Sequence, residues 1–150
     1  MDTSDVPGEA QPEIPTEAEY EALANLRYTL RHFLDFSSSA AQAEGLPSQQ
    51  HQALLAIKGY RGGAPMTIGI LAERLLIAPH STSELVHRLV LAGYVTRRTD
   101  PGDKRRQTIE LTGQADELLM RLGAIHLREV RHMAPELIEL LTELKENHSG

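Results

Sequence analysis

The sequence predicts a mainly α-helical fold that carries one small antiparallel β-hairpin. Apolar residues recur at spacings of three and four over most of the chain, which is the period of an α-helix. The exception is a Pro-Gly turn between two short segments of strand character. With 150 residues the chain is long enough for one domain with its own core. We therefore expect a single domain over residues 17–150.

The N-terminal part divides into an arm and a helix. Residues 1–16 are rich in Pro, Glu, Asp and Thr, a composition that predicts a disordered acidic arm. A first helix is predicted over about 17–42. Its apolar positions follow helical spacing: Tyr20, Leu23, Leu26, Leu30, Phe33 and Leu34.

Three shorter helices are predicted next. Ser48 is suited to cap the first of them, which ends at Gly59. Thr67 is suited to cap a short helix after a Gly-rich loop. Pro79 favours the first position of the following helix, and Gly93 is a natural residue to end it.

The Pro-Gly turn that follows is the most informative segment. Pro101 fixes φ at the second turn position and Gly102 accepts a positive φ at the third, so the turn predicts a hairpin tip between strands at 94–98 and 107–111. Three consecutive cations follow the turn: Lys104, Arg105 and Arg106. A cationic tip of this kind can enter a DNA groove or lie along phosphates. An ordinary solvated hairpin is the simpler alternative.

The C-terminal part is predicted to be helical. Thr112 is suited to cap a long helix with Asp116 and Glu117 in its first turn, where the helix dipole favours anions. We expect this helix to break near Ala134 and Pro135. A terminal helix should follow, with apolar residues Leu137, Ile138, Leu140, Leu141 and Leu144.

Charge is distributed unevenly along the chain. The net charge of -6 argues weakly against binding to nucleic acid. However, the stretch from Arg88 to Arg106 contains six cations and only two acids, while residues 1–26 contain seven acids and no cation. An acidic protein with one basic patch can still bind DNA on that face.

Composition excludes several classes of function. The absence of cysteine excludes disulfides, thiolate chemistry and Cys-ligated zinc. No apolar run reaches the length of a membrane span and no secretion signal is visible at the N-terminus, so we expect a soluble cytoplasmic protein that does not contact membranes. No nucleophile–base pair or paired carboxylates are found, which predicts a non-enzyme without a cofactor.

A short helix, a turn, a second helix and a hairpin follow one another in the order of a winged helix-turn-helix. Residues 66–75, residues 81–95 and the pair Asp103-x-Arg105 with Leu111-Thr112 have the pattern of its motif helix, recognition helix and wing. In these stretches the sequence resembles the MarR family of bacterial transcriptional regulators, over about 17–147. The resemblance implies a winged lobe at about 46–111 between dimerisation helices at about 17–42 and 112–147.

The resemblance also implies which residues contact DNA. Arg105 matches the wing arginine that inserts into the minor groove, and Asp103 the acid that helps to hold it. With Thr82, Leu85, Val86 and Leu89 facing inward, the outward residues of the recognition helix are Pro79, His80, Ser81, Ser83, Glu84 and His87. The expected phosphate contacts are Arg97, Arg98, Lys104 and Arg106. A plain solvated face is the alternative for the outward residues.

Three positions depart from the family pattern. Ala78 stands where relatives often have an acid that caps the recognition helix and pairs with the wing arginine. Glu84 reverses the charge at a position that is frequently arginine. Ile70 replaces a common glutamate and so removes the capping box after Thr67. These departures concern the operator and not the fold.

The terminal helices carry more apolar residues than one winged lobe can cover. The resemblance implies a homodimer that reads a pseudo-palindrome in double-stranded DNA, the alternative being an intramolecular bundle. Many relatives bind a small aromatic or phenolic acid between the dimerisation helices and the lobe. The corresponding candidates here are Tyr20, Arg27, Tyr28, Arg31, Phe33, His51 and Tyr60. One of the arginines would pair with the carboxylate of the ligand. The alternative is that all seven are only core and interface residues.

The histidines raise the question of a metal. His51 and His126 occupy places used by metal-sensing relatives, but no two histidines have the i, i+4 spacing of a helical ligand pair. We therefore predict no metal site.

Taken together, the sequence and the resemblance predict a homodimeric repressor that is released by a small ligand. The alternative is a winged-helix module for protein–protein interaction, without operator recognition.

Overall fold

The computed structural model describes residues 13–146 and confirms a mainly helical fold with a small antiparallel sheet. The elements in chain order are α1 (Glu17–Ala43), α2 (Ser48–Lys58), β1 (Met66–Thr67), α3 (Ile68–Leu75), α4 (Pro79–Leu91), β2 (Val95–Asp100), β3 (Asp103–Leu111) and α5 (Gly113–Glu146). Most of the predicted acidic arm, residues 1–12, lies outside the described residues.

Helix starts follow the local chemistry with one exception. The Thr16 hydroxyl accepts a hydrogen bond from the Glu19 amide at 3.2 Å, and the Glu19 carboxylate accepts the Thr16 amide at 3.0 Å, so a capping box starts α1. The prediction that Ser48 caps α2 is wrong, since Pro47 holds that position. The Ser48 hydroxyl accepts a hydrogen bond from the Gln52 amide group and another from Ser38 of α1.

The caps predicted for the later helices are confirmed. Thr67 accepts the Ile70 amide at 3.2 Å, Pro79 is the first residue of α4, and Thr112 accepts the Ala115 amide at 3.3 Å. Gly93 follows the end of α4 with φ of 84°, a conformation that favours glycine.

The sheet has three antiparallel strands in the order β1-β3-β2. The hairpin of β2 and β3, called the wing from here on, was predicted, whereas β1 was not. In β1, Met66 pairs with Ile109 and Thr67 with Thr108. Two residues are too few to show an alternating pattern, so only the pairing with β3 defines this strand.

The tip of the wing differs in detail from the prediction. Pro101 and Gly102 connect the paired residues Asp100 and Asp103, as expected. However, Gly102 does not adopt a positive φ. Instead, the Asp100 carboxylate accepts the Gly102 amide at 2.8 Å, so a side chain of the turn closes it.

The predicted break near Ala134 and Pro135 is wrong, because α5 runs without interruption from Gly113 to Glu146. Proline removes one backbone hydrogen bond and crowds the preceding turn. Here α5 lies against α1 on both sides of the proline: His126 bonds Ser37 before it, and Met133 and Glu136, which flank it, line a cleft shared with α1. Packing against α1 therefore maintains the helix through Pro135.

The core lies within the winged lobe, defined here as residues 46–111, and includes the start of α5. Its fully buried large side chains are Leu46, Leu54, Leu71, Val86, Leu89, Ile109 and Leu122. Outside the lobe, α1 and α5 form an antiparallel helix pair, since Glu44 at the end of α1 contacts Arg121 near the start of α5. Within residues 13–146, no helix combines the length and the apolar character needed to cross a membrane.

Candidate nucleic-acid interface

One side of α4 presents polar side chains to solvent. Its opposite side, Thr82, Leu85, Val86 and Leu89, is buried as predicted. Of the residues predicted to face outward, four are exposed and two half-buried: Pro79, His80, Glu84 and His87, and then Ser81 and Ser83. Ala78 at the N-cap offers no side-chain acceptor to the first amides of the helix.

The wing presents its cations beyond the body of the lobe. Lys104, Arg105 and Arg106 are all exposed. The Asp103 carboxylate accepts the Arg105 backbone amide at 3.0 Å, so it orders the backbone of this arginine and leaves the guanidinium unbound. Among residues 13–146, the Arg105 guanidinium has no hydrogen bond or ion pair, in keeping with the missing acid at Ala78.

Arg97 and Arg98 were predicted to play the same part, and the structure places them differently. Arg98 is exposed on β2. Arg97 is half-buried, and its terminal nitrogen donates to the Ser83 hydroxyl of α4 at 3.1 Å. Its Nε donates to the Gln107 side chain of β3. Arg97 thus connects both strands of the wing with α4.

Two adjoining grooves bring most of the predicted DNA-contacting residues together, and Arg97 lines both. The first groove lies along α4 and is lined by Ser83, Glu84, His87, Arg88 and Arg97. The second lies between α3 and the wing and is lined by Thr67, Ile68, Gly69, Ile70, Arg97, Asp103, Arg105, Arg106 and Gln107. Pro79, His80, Ser81, Arg98 and Lys104 line neither groove.

Sequence reasoning missed three parts of these grooves. Arg88 follows Glu84 by four residues and therefore lies on the same outward stripe of α4, a spacing that could have identified it. Gln107 lies on β3, and the start of α3 is brought beside it by the pairing of β1 with β3. No local pattern in the sequence indicates this pairing.

The seven residues predicted to form an effector pocket do not line one cavity. Arg27 and Arg31 share a groove on α1 with Leu30 and Leu34, and the side chain of Tyr20 is exposed. The other four lie in three further places: Tyr28 in a cleft between α1 and α5, Phe33 and His51 against His126, and Tyr60 beside the loop before β1. The set is dispersed because its α1 members point to different sides of that helix.

His51 and His126 meet where α1, α2 and α5 come together. Their ring centroids are 4.9 Å apart. His126 donates from Nδ1 to the Leu122 carbonyl at 2.7 Å, and its Nε2 lies 2.7 Å from the Ser37 hydroxyl. The Nδ1 of His51 is buried without a partner among the described residues.

Burial, followed by the nearby His126, lowers the pKa of His51 below its ordinary value of 6.5. In residues 13–146, no group of three or more histidine, aspartate or glutamate side chains is placed to hold a metal ion. The joint between the lobe and the helix pair therefore contains a histidine that burial favours in the neutral form.

Comparison with known proteins gives one family and several relatives. Residues 44–106 match the model of the MarR family. The chain is 40% identical over 75 residues to the uncharacterized HTH-type transcriptional regulator YcgE of Bacillus subtilis, a match that covers 49% of this chain and 46% of that protein. It is 26% identical over 124 residues to the transcriptional activatory protein BadR of Rhodopseudomonas palustris, which covers 74% and 71% of the two chains.

The fold is also that of solved regulators. Sco3205, a MarR family transcriptional regulator from Streptomyces coelicolor solved in complex with DNA, aligns with a TM-score of 0.71 and 24% identity. The alignment covers 94% of this chain and 91% of Sco3205. This likeness extends over both the winged lobe and the helix pair.

Proposed function

Since this chain belongs to the MarR family of winged helix-turn-helix regulators, we propose that it binds a pseudo-palindromic DNA operator as a homodimer and regulates transcription. The observation that carries this proposal is the common face of α4 and the wing. Part of the polar stripe of α4 and two exposed cations of the wing, Arg105 and Arg106, line two grooves that meet at Arg97. A helix that enters the major groove beside a hairpin that reaches the backbone or minor groove needs this arrangement.

The face divides into two kinds of contact. His80, Ser81, Glu84 and His87 lie on α4, where side chains can meet base edges, and Glu84 can accept a hydrogen bond from cytosine N4. The exposed cations Arg98, Lys104 and Arg106 would contact phosphates on either side. Helix α4 begins at Pro79, and the backbone amides that follow this proline in the first turn would donate to a phosphate. Arg105, held by Asp103 through its backbone only, would enter the minor groove.

The homodimer is supported by the apolar surface of the helix pair. Large apolar side chains are exposed on both helices: Tyr20, Leu23 and Tyr28 on α1, and Ile125, Leu127, Val130, Ile138 and Leu141 on α5. Monomeric soluble proteins rarely leave contiguous apolar surface of this extent in water. A second copy of the same pair would cover it and would set the spacing of two α4 helices on the DNA.

We further propose that the regulator is a repressor and that a small aromatic or phenolic acid releases it from DNA. Support for the ligand is the groove on α1, where Arg27 and Arg31 flank Leu30 and Leu34. The arginines suit a carboxylate and the leucines suit a ring. Replacing both arginines with glutamine should abolish the response to a test ligand such as salicylate while operator binding is retained.

Selection of duplexes from a random library by the purified protein tests DNA recognition. We expect a palindrome whose half-sites are about one helical turn apart, bound with an affinity that falls steeply with salt because phosphate contacts release counterions. Glu84→Ala should change the selected bases, whereas Glu117→Ala on the exposed surface of α5 should not. Failure to enrich any duplex would favour the alternative of a protein-interaction module.

Activation of transcription is the second candidate function, because the relative BadR is described as an activatory protein. A reporter gene placed behind the selected palindrome distinguishes the two. Repression predicts higher reporter expression when the regulator is deleted, and activation predicts lower expression.

A further inference from the structure

We infer that Arg97 is a positioning residue that fixes the wing against the recognition helix, and not a phosphate contact. Its consequence for DNA binding rests on the proposed function. The inference changes the role of two residues, because Ser83, which the sequence predicts to face DNA, is the acceptor that Arg97 uses on α4.

The contacts of Arg97 join three elements. Arg97 is on β2, Ser83 is in the second turn of α4, and Gln107 is on β3. Guanidinium presents five N–H donors in a planar fork, so one side chain can hold two acceptors in different directions. Both acceptors are neutral, and the cation therefore retains its charge while its donors on these two sides are occupied.

The neighbouring cations give the contrast. Arg98, Lys104, Arg105 and Arg106 are exposed, whereas Arg97 is half-buried. None of those four side chains has a hydrogen bond or an ion pair within residues 13–146. They remain available for phosphates, and Arg97 is the cation of the wing that is bound within the protein.

The position of this contact along α4 makes it effective. Chain connectivity joins α4 to β2 only at the end of the helix, where the Tyr94 amide donates to the Leu89 carbonyl. Ser83 lies well before that point, near the residues proposed to meet bases. A contact at Ser83 fixes the angle between α4 and the wing, so that the helix and the wing tip can engage two places on the DNA at a set separation. Such preorganisation lowers the entropic cost of binding.

The first experiment compares Arg97→Ala with Arg98→Ala on a labelled duplex selected by the wild-type protein. Arg97→Ala should weaken binding about tenfold with an unchanged salt slope, since hydrogen bonds to a charged group are lost but no phosphate contact is. Arg98→Ala should reduce the slope by about 0.9. Arg97→Lys should weaken binding as Arg97→Ala does, because one ammonium cannot bridge both acceptors.

The inference is overturned if Arg97→Ala reduces the salt slope as Arg98→Ala does, or if Arg97→Lys keeps wild-type affinity. Ser83→Ala tests the same contact from α4 and retains the arginine. Its loss of affinity should not add to that of Arg97→Ala in the double variant, as expected for two residues in one contact. Additive losses would assign Ser83 and Arg97 to separate roles.

The second experiment needs no DNA. The natural chain has no cysteine, so His87→Cys and Lys104→Cys can be spin-labelled selectively to measure the distance between α4 and the wing tip. Adding Arg97→Ala or Ser83→Ala should broaden the distance distribution, and adding Arg98→Ala should not. An unbroadened distribution overturns the inference. Broadening in a protein that selects no duplex would support the contact while refuting the proposed function.

Discussion

The winged lobe and the pair of α1 and α5 differ in how far their large apolar side chains are exposed to solvent. In the lobe, Leu54, Leu71 and Leu89 are fully shielded from solvent. In the helix pair, Tyr28 is 67% exposed and Ile138 is 63% exposed. The lobe has completed its core within one chain, whereas the helix pair has an inner seam and an uncovered outer face.

This difference supports the proposed homodimer, since the lobe core is closed within one chain and the helix pair leaves apolar surface for a second copy to cover. The inner seam of α1 follows coiled-coil spacing, with Ala22, Leu26, Thr29, Phe33 and Phe36 at least partly buried. In the described part of the chain, the apolar side chains of the outer face remain exposed. A dimer interface of about 2,000 Å² or more would be expected from two such pairs.

The largest effect is expected when charge is placed on the outer face of α5. Ile138→Glu combined with Leu141→Glu should convert the dimer into a monomer, because two buried carboxylates per chain would have no counter-charge. Leu55→Glu, at an exposed leucine of α2, should leave the dimer intact. Sedimentation equilibrium measures the oligomeric state of both variants. A wild-type protein that sediments as a monomer at micromolar concentration would refute the dimer interface on the helix pair.

The next effect concerns the lobe core. Leu89→Ala should reduce the free energy of unfolding by about 2–5 kcal/mol, since it removes buried methyl groups and leaves a cavity. Leu91→Ala, two residues further on and 74% exposed, should change it by less than about 0.5 kcal/mol. Urea unfolding gives both values. Equal losses at the two positions would contradict the assignment of Leu89 to a closed core.

A third prediction tests a residue of the lobe that takes no part in its core. Arg105→Ala should weaken operator binding by about 1–3 kcal/mol and leave the unfolding midpoint nearly unchanged, because its side chain is exposed and unpartnered. Arg128→Ala on the exposed surface of α5 is the control. Fluorescence anisotropy at fixed salt measures the affinity, and an unaltered value would refute the wing assignment.

A fourth prediction uses pH to probe the joint between the two regions. The pKa of His51 is lowered in the folded state, so the unfolded chain binds more protons below pH 6.5. The stabilising contribution of neutral His51 is fully present above pH 6.5. As pH decreases below that value, the free energy of unfolding should fall by at most about 1.4 kcal/mol per pH unit. His51→Leu should reduce this dependence, and His87→Ala should preserve it. The prediction would be contradicted if the free energy of unfolding had the same pH dependence in the wild type and in His51→Leu.

The smallest effect is expected at the turn between α3 and α4. Leu76 ends α3 with φ of 56°, a left-handed conformation that is unfavourable for leucine, and it is 90% exposed. Leu76→Gly should therefore raise the free energy of unfolding by about 0.5–1 kcal/mol. Leu91→Gly, within α4, should lower it by a similar amount, about 0.5–1 kcal/mol. Thermal unfolding distinguishes the two signs, and a loss of stability at both positions would show that the backbone at Leu76 is not strained.

The sequence predicted the features that depend on a few neighbouring residues. Helix α1 was expected over 17–42 and spans Glu17–Ala43. The stops and starts at Thr67, Pro79 and Gly93 were predicted because each depends on the residue's own hydroxyl, ring or missing Cβ.

Features set by distant parts of the chain were missed. Pro135 remains helical because α1 packs beside it, and β1 exists because β3 pairs with it. The candidate site shows the same limit. Periodicity indicated the outward stripe of α4, but Arg97 and Ser83 are 14 residues apart and meet only when the wing folds back on the helix.

The course of α5 gives the molecule an electric polarity. Its 34 residues begin at the base of the wing, whose tip carries the cations, and extend about 50 Å, at about 1.5 Å per residue, to the end that carries Glu139 and Glu143. Because the pair is antiparallel, Glu17 and Glu19 at the start of α1 lie toward that same end. In the field of a polyanion, such a charge separation exerts a torque that turns the wing forward and the acidic end away. Encounters with DNA would then begin in the productive orientation, and the association rate constant would fall as salt screens that torque.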